Sequence, residues 1–595
     1  MLSRILIILG GLTAFLFALS TAGFLMRHEL LRIYEDLPPF THPGGETSET
    51  VVEMRDGIKL ATIIYEPAGP GPWPTVLIRN PYVQMGPIIG TWCDRLVRYG
   101  YACVLQDVRG QGESEGDWEP VINERRDGGD TLRWLAKQPF MNGNIGMIGP
   151  SYLAAVQWAA AADTLPPEVK TFIPTVFSTN THDTLYEDGM FRHESFTAWA
   201  ALMAKPGEMG GGESGAQYQA AIRHRPHFEV DEKIFGESLP WYRDWISNPA
   251  PSDALWQGED NRRLLAAPEQ LEIPILMVGG WYDAFFGPQY DDWVRLASQS
   301  SSRFVIGPWT HIGGGGEALE TPNSGGGLLQ WKISLDWLGH HLKGEPLENG
   351  PGVATYVMRE NRWEERRSWP PKGHRERLYL AGGDGALSCG GGRLQRRGPD
   401  SADRADYIYD PDNPVPTRGG SGMLAFVLPD FEGAPPATVW QEGLCDREDV
   451  LSFQTPVLKE SIHLAGEIEV ALTIMSDAAD TAFTAKLVEV LSDGRAVNIR
   501  DGITSLAYRN GATAPQAHEP ATPVEILIRF WPIEWSVPAG SSLRLNISSS
   551  DFPKYHAHPN QFGIWSQQTE ARLARQSLIM GAGVATWIEL PVAGP

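Results

Sequence analysis

"NGNIGMIGPSYLAAVQWAAAAD", residues 142–163, decides how this chain folds. Ile145 to Pro150 is a run of glycine and apolar residues, as in a strand buried on both faces. The run stops at Gly149-Pro150-Ser151, and the Ala-rich segment from Tyr152 onward reads as a buried helix. A serine at such a corner fits a nucleophile elbow, in which a strained turn lifts the hydroxyl above the sheet and the helix N-terminus favours an oxyanion nearby. A Gly-X-Ser triplet equally describes an ordinary helix N-cap. The rest of the chain must therefore say which it is.

The flanks supply an alternating pattern. "TVVEMRDGIKLATIIYEP" (50–67) reads as two strands around the Asp56-Gly57 turn. "PTVLIRNPY" (74–82) and "YACVLQDVRG" (101–110) read as buried strands, with a helix ending at Gly100 between them. "ERRDGGDTLRWLAKQPF" (124–140) is an amphipathic helix and "VKTFIPTVF" (169–177) another strand. Strands alternating with helices predict an α/β fold with a parallel sheet and right-handed crossovers. The rhythm breaks over 179–270, which is rich in Trp, His, Gly and Pro. It resumes at "LEIPILMVGGWYDAFF" (271–286) and "SRFVIGPWTHIGGG" (302–315), and "LLQWKISLDWLGHHLKGEP" (328–346) is a closing helix. An insertion at that place covers the carboxyl ends of the strands, where such sheets bind ligands. Beyond residue 347 short alternating runs such as "IHLAGEIEVALTIMSD" and "PVEILIRFWPIEWSV" predict an all-β sandwich or jelly roll.

These readings divide the 595 residues into an N-terminal segment (1–27), a Pro/Gly/Thr-rich linker (28–48), an α/β domain (49–178 and 271–346), a helical cap (179–270) and a jelly-roll domain (347–595). In the N-terminal segment an uncharged apolar stretch, Ile5 to Met26, lies between Arg4 and Arg27. That length suits a membrane-spanning helix, and a cleaved signal peptide is the alternative. The expectation is an exported protein, either anchored to a membrane by this helix alone or released. A formal charge of −24 excludes nucleic acid as a partner, because no basic field attracts phosphates. A small-molecule substrate is expected, no cofactor is called for, and assembly as a homo-oligomer stays open. Of the 4 cysteines, Cys103 reads as an inert core residue, and Cys389 and Cys445 could pair in an exported protein. His224/His227 and His340/His341 lack a third ligand at metal-binding spacing.

A serine hydroxyl is a weak nucleophile until a base takes its proton and a third group holds that base. In this fold the partners follow in the order Ser, acid, His. Asp283 and His311 each sit just past the carboxyl end of a predicted strand, in that order.

Five motifs extend the pattern: "RNPY" (79–82), "QDVRGQGESEG" (106–116), "GPSYL" (149–153), "GGWYDAF" (279–285) and "GPWTH" (307–311). With "DTAFTAKLVEVLSDGRAVNIRDGI" and "SSLRLNISSSDFP" in the β region, the chain resembles the cocaine esterase/X-prolyl dipeptidyl-peptidase (CocE/NonD) family of serine hydrolases from about residue 50 to its end. The resemblance implies an α/β-hydrolase core with a helical cap and a C-terminal jelly roll. It implies Ser151 as nucleophile, His311 as general base and acid, and Asp283 as the residue orienting the histidine. It also implies an oxyanion hole made by the Tyr82 hydroxyl and the Tyr152 amide; a phenol stays protonated at neutral pH and can aim a strong hydrogen bond at developing charge. One departure is Ala154, where the family elbow usually has glycine. The Asp107–Arg109 pair in "QDVRGQGESEG" is expected to brace the sheet.

The family's activities differ in what the pocket holds. α-Amino-acid ester hydrolases and X-prolyl peptidases must bind an ammonium, and in the former two carboxylates follow shortly after the catalytic aspartate. Here Ala284, Phe285 and Phe286 occupy those places, an apolar wall that would only desolvate an ammonium. Phe285 resembles the acyl-pocket aromatic of cocaine-esterase-like members. The expectation is a serine esterase for bulky or aromatic acyl groups acting through an acyl-enzyme. An α-amino-acid ester hydrolase or X-Pro dipeptidyl-peptidase is the alternative, and a non-catalytic surface- or carbohydrate-binding protein the minor one. Asp183, Glu187 and Asp188 in "THDTLYEDGMF" are read as a solvated helix face.

Overall fold

The computed structural model describes residues 28–204, 212–325, 329–423 and 435–594. The α/β part is built on a 10-stranded sheet. Its strands are β1 (Gly45–Glu53), β2 (Lys59–Pro67), β3 (Trp73–Asn80), β4 (Ala102–Asp107), β5 (Met141–Pro150), β6 (Val169–Thr175), β7 (Leu276–Gly280), β8 (Arg303–Gly307), β9 (Gly352–Val357) and β10 (Arg362–Arg366). They lie in the order β1-β2-β4-β3-β5-β6-β7-β8-β9-β10. The strands from β4 through β9 along that order are mutually parallel, and β1, β2 and β10 are antiparallel additions at the edges. The sheet therefore takes in residues 352–366, beyond the position 347 at which the sequence pattern changes.

Helix α1 (Gly86–Arg98) lies between β3 and β4, α2 (Glu124–Leu135) before β5, and α3 (Tyr152–Ala161) after it. All ten residues of α3 are buried, which explains its lack of a polar face. Small side chains let α2 approach it closely: a Cβ on Gly128 would stand 2.9 Å from the Ala160 Cβ. Buried Gln157 ties α3 to the sheet, donating to the Gly149 carbonyl at 3.2 Å and accepting the Ile173 amide at 3.1 Å.

Between the adjacent strands β6 and β7 the chain leaves the sheet to form the cap. Its helices are α4 (Thr181–Leu185), α5 (His193–Ala204), α6 (Gly212–Ala221), α7 (Pro240–Ser247) and α8 (Glu259–Gln270). From Gly373 to Ala593 the chain is β-rich, with eleven strands in one hydrogen-bonded set, from Asp403–Tyr409 at one end to Ala496–Ser505 at the other. This is the jelly-roll domain. It is joined to the α/β sheet by a buried carboxylate, Glu534, which accepts from Arg366 Nη2 at 2.7 Å, Trp369 Nε1 at 2.8 Å and His463 Nε2 at 2.9 Å. Burial works to raise its pKa, but these donors hold it below the ordinary range.

Three expectations need correction. Arg109 does not pair with Asp107. Its guanidinium bonds Asp127 at 2.7 and 2.9 Å and Asp56 at 2.8 Å, fastening the loop after β4 to α2 and to the β1–β2 turn. Side-chain partners of this kind are chosen by packing, not by proximity along the chain. Cys103 is not a free core thiol: it forms a disulfide with Cys93, joining β4 to α1, and Cys389 pairs with Cys445. The apolar run expected to contact a membrane falls within residues 1–27, outside the described residues. Among the described residues no helix is long and apolar enough to cross a membrane. A membrane partner and the membrane-anchored location are accordingly withdrawn.

Candidate active site

The corner between β5 and α3 puts Ser151 in a backbone conformation that L-residues rarely adopt, φ 58° and ψ −127°. Gly149, at φ 155°, makes the approach to it feasible, since a Cβ there would stand 2.4 Å from the Leu153 Cβ. The strained residue is pinned on both sides. Its amide donates to the Thr175 carbonyl of β6 at 2.9 Å, and its carbonyl accepts from Ala154 and Ala155 at 2.8 and 3.0 Å.

Asp283 and His311 arrive from the loops after β7 and β8. The fully buried Asp283 receives the Phe285 amide on Oδ1 at 2.8 Å and His311 Nδ1 on Oδ2 at 2.7 Å. A carboxylate can only accept, so Nδ1 carries the imidazole proton and Nε2 keeps its lone pair. Nε2 lies 3.0 Å from Ser151 Oγ. The structure thus brings together the three residues singled out in the sequence, with His311 holding the tautomer that can take a proton from the serine.

Tyr82 and Tyr152 flank the serine in different ways. The loop after β3 is shaped by Asn80, whose side chain accepts the Tyr82 amide and donates to the Tyr82 carbonyl, both at 3.0 Å. The Tyr82 hydroxyl accepts the Trp199 indole N–H at 3.3 Å, and its other hydrogen-bonding neighbour is the Ser151 side chain. Burial raises its pKa, so it is a neutral donor. Tyr152 follows the serine directly, and its amide is the first of α3, one of those a helix leaves without an internal acceptor. Its phenol points elsewhere: it accepts the Val121 amide at 2.8 Å and donates to Glu124 at 3.1 Å, while Glu124 is paired with buried Arg79 at 2.7 Å.

A cavity opens beside Ser151, walled by Phe177, Phe196, Trp199, Trp245 and Phe285, with Met423 contributed by the β-rich domain. The Phe285 ring stacks on His311 with centroids 5.2 Å apart and packs against Phe177 at 5.4 Å. Sequence reasoning found Phe285 alone of these. Phe177 ends the predicted strand 169–177, the cap aromatics lie in a tryptophan-rich insertion without periodicity and Met423 in a β loop, and only the density of aromatics in the cap hints at any of them.

A second, larger cavity of about 530 Å³ adjoins the first at Thr181, which lines both. Asp183, Glu187 and Asp188 line it, so they do not form a solvated helix face. Only Asp183 lies on a helix; Glu187 and Asp188 belong to a small hairpin that docks on the β-rich domain through the Asp188 carbonyl, which accepts the Ser505 amide. Glu187 is matched by Arg192 at 2.7 Å and the Tyr555 hydroxyl at 2.5 Å. Burial pushes Asp188 up to about 7. Among the described residues no group of three or more His, Cys, Asp or Glu is placed to hold a metal ion.

Residues 56–313 match the X-Pro dipeptidyl-peptidase (S15) family and residues 347–584 the X-Pro dipeptidyl-peptidase C-terminal non-catalytic domain. The chain is 31% identical to cocaine esterase of Rhodococcus sp. (strain MB1 Bresler) over 560 residues, covering 88% of this chain and 93% of that protein. Among solved structures, an α-amino acid ester hydrolase superimposes with a TM-score of 0.78 at 23% identity, over 93% of this chain and 98% of the other. An aminopeptidase from a marine-sediment archaeon, Thaumarchaeota archaeon, does so with a TM-score of 0.77 at 24% identity, over 94% and 99%. At that identity the structural likenesses speak for the fold alone.

Proposed function

The chain belongs to the family of cocaine esterase and the X-Pro dipeptidyl-peptidases, and from that premise we propose that it is a serine esterase with Ser151 as nucleophile, His311 as general base and acid, and Asp283 as the group that orients the imidazole. One observation carries the reading: the unbroken line from Asp283 through His311 to Ser151 at 2.7 and 3.0 Å, at the mouth of an aromatic cavity. In the first step Ser151 Oγ bonds to the ester carbonyl carbon while its proton passes to His311 Nε2. The negative charge gathering on the carbonyl oxygen is met by the Tyr82 hydroxyl and the Tyr152 amide. Collapse breaks the ester C–O bond, and the imidazolium returns its proton to the departing alkoxide. Water, deprotonated by the same histidine, then releases the acid and restores the serine.

The walls around Ser151 suit a neutral aromatic or bulky acyl group, because Phe177, Phe196 and Phe285 offer apolar area and no counter-charge. The acidic cavity that meets this pocket at Thr181 supports a second reading, in which the substrate carries an ammonium and is an α-amino ester or an X-Pro peptide. Labelling with a fluorophosphonate probe tests the nucleophile: wild type reacts and Ser151→Ala does not, and equal labelling of the two removes the assignment. A panel of aryl esters, α-amino esters and X-Pro amides separates the readings. A preference for α-amino esters that is lost in Asp183→Asn would favour the second.

A further inference from the structure

The mechanism asks for a hydrogen bond aimed at the developing oxyanion from Tyr82, yet a phenol on a flexible C–O bond can turn its proton toward any acceptor nearby. The Tyr82 hydroxyl accepts the Trp199 indole N–H at 3.3 Å, and it lines the same cavity as Ser151, its other hydrogen-bonding neighbour. An indole nitrogen has a proton and no lone pair available, so it donates and never accepts. The phenol oxygen must therefore spend a lone pair on Trp199, and its own proton is left with one direction, toward the serine and the substrate oxygen that will replace it as acceptor.

We infer that Trp199, a residue of the cap, is the positioning residue of the oxyanion hole: its indole N–H fixes the orientation of the Tyr82 hydroxyl and polarises it toward the reacting oxygen. This rests on the assignment of Tyr82 as an oxyanion donor. The chain of groups that results is directional along its whole length. It begins at a group that can only donate, the indole, and ends at one that can only accept, the Asp283 carboxylate. In between, Tyr82, Ser151 and His311 each have one hydrogen to give along that line. Both ends of the line are fixed by chemistry, so the free enzyme is already in the proton arrangement the first step needs.

The surroundings hold the indole for this purpose. Trp199 lies on α5 and stacks on Trp245 with centroids 5.6 Å apart and planes 14° apart, and on Tyr152 at 6.3 Å with the same tilt. Trp118 and Trp241 close the remaining sides at 5.8 and 5.4 Å. The Tyr152 contact is informative, because that ring is itself locked by Val121 and Glu124. The residue that supplies the backbone donor thus braces, with its side chain, the residue that aims the phenolic one.

A bond from a neighbour strengthens a hydrogen bond by about 10–30%, and one oxyanion donor is worth about 10²–10³ in kcat. Loss of the indole N–H should therefore lower kcat about two- to eight-fold. Trp199 also walls the acyl cavity, so packing must be separated from hydrogen bonding. Two substitutions are compared: Trp199→Phe, and Trp199→β-(3-benzothienyl)alanine, which keeps the bicyclic shape and replaces N–H by sulfur. Each is made in the wild type and in a Tyr82→Phe background, and kcat and KM are measured on an aryl ester.

The expected result is that the benzothienyl variant loses activity in kcat with KM nearly unchanged, and that the loss vanishes when Tyr82 is phenylalanine, since there is then no hydroxyl to orient. A benzothienyl variant with wild-type kcat overturns the inference. So does a loss of equal size in both backgrounds, which would make Trp199 a packing residue only. If Tyr82→Phe alone is fully active, the oxyanion assignment falls and this inference with it. If Tyr82→Phe is impaired but uncoupled from position 199, only the inference falls.

Discussion

Asp283→Asn is the most informative substitution at the proposed triad because it changes almost no volume and reverses the proton logic. The native carboxylate accepts twice, from the Phe285 amide at 2.8 Å and from His311 Nδ1 at 2.7 Å. An asparagine has one accepting oxygen and one donating nitrogen, so one of these bonds becomes a donor facing a donor. The Phe285 amide cannot change its chemistry, and leaving a buried amide unpaired costs about 1–3 kcal/mol. The imidazole can adapt by moving its proton to Nε2. The carboxamide oxygen is therefore expected to stay on Phe285 while its NH2 group faces a deprotonated Nδ1. His311 then presents Nε2–H to Ser151 and has no lone pair to receive the serine proton. Enforcing the wrong tautomer in a triad lowers kcat by about 10⁴-fold, on the order of 5 kcal/mol of transition-state stabilisation. The assay is kcat on a chromogenic aryl ester, with thermal unfolding of the same preparation recorded beside it. The expected result is a fall of about four decades with the unfolding transition nearly unmoved. A variant within tenfold of wild type would refute the reasoning, since it would mean that His311 does not need Asp283 to hold its proton.

Two other outcomes follow from the same geometry. Gly149→Ala forces a Cβ to within 2.4 Å of Leu153 at a φ of 155°, so the elbow must move; kcat on the same ester should drop by about 10²-fold, the cost of a misplacement of roughly 1 Å, and an active alanine variant would show that the turn is not held as described. Buried His193 has its pKa lowered to about 4 by burial, from an ordinary 6.5. Because the unfolded chain binds this proton first, stability should be lost as pH falls from about 6.5 to about 4, by up to about 3 kcal/mol from this group; comparing thermal unfolding of wild type and His193→Gln across that range checks it, and identical pH slopes would count against it.

The sequence disclosed what depends on local pattern. Apolar runs broken by glycine marked β5 and α3, because a strand covered on both faces and a helix covered on all sides admit no polar residues. Asp283 and His311 were legible because each follows directly on such a run. What stayed hidden depends on contacts between distant segments. Nothing near Arg109 says that it will reach Asp127 and Asp56 instead of Asp107. Cys103 reads as a core residue because a strand beside a helix is apolar where the two touch, with or without a covalent bond to Cys93. At Tyr152 the sequence pattern speaks only for the amide; the bond from its phenol to Glu124, itself paired with Arg79, belongs to a buried polar network that no periodicity signals. Trp199 was one of 21 tryptophans and carried no mark of its own.

Helix α5 touches three different neighbours along its twelve residues. At its start the Glu194 amide donates to the Pro553 carbonyl of the β-rich domain at 2.9 Å, and the His193 ring lies 6.2 Å from that of Phe552. One turn on, Phe196 walls the acyl cavity, and a further turn brings Trp199 to Tyr82. Met423 reaches the same cavity from the β-rich domain, and Arg500 bonds the Trp281 carbonyl two residues before Asp283. A hydrolase unit cut out at the boundary of its sheet would keep every reacting atom and lose the fixtures that hold them in place. Engineers seeking a minimal catalyst should treat the whole chain as the unit of inheritance. A change of specificity can then begin on the Phe552–Pro553 loop, where alterations shift the foot of α5 and leave the reacting groups chemically untouched.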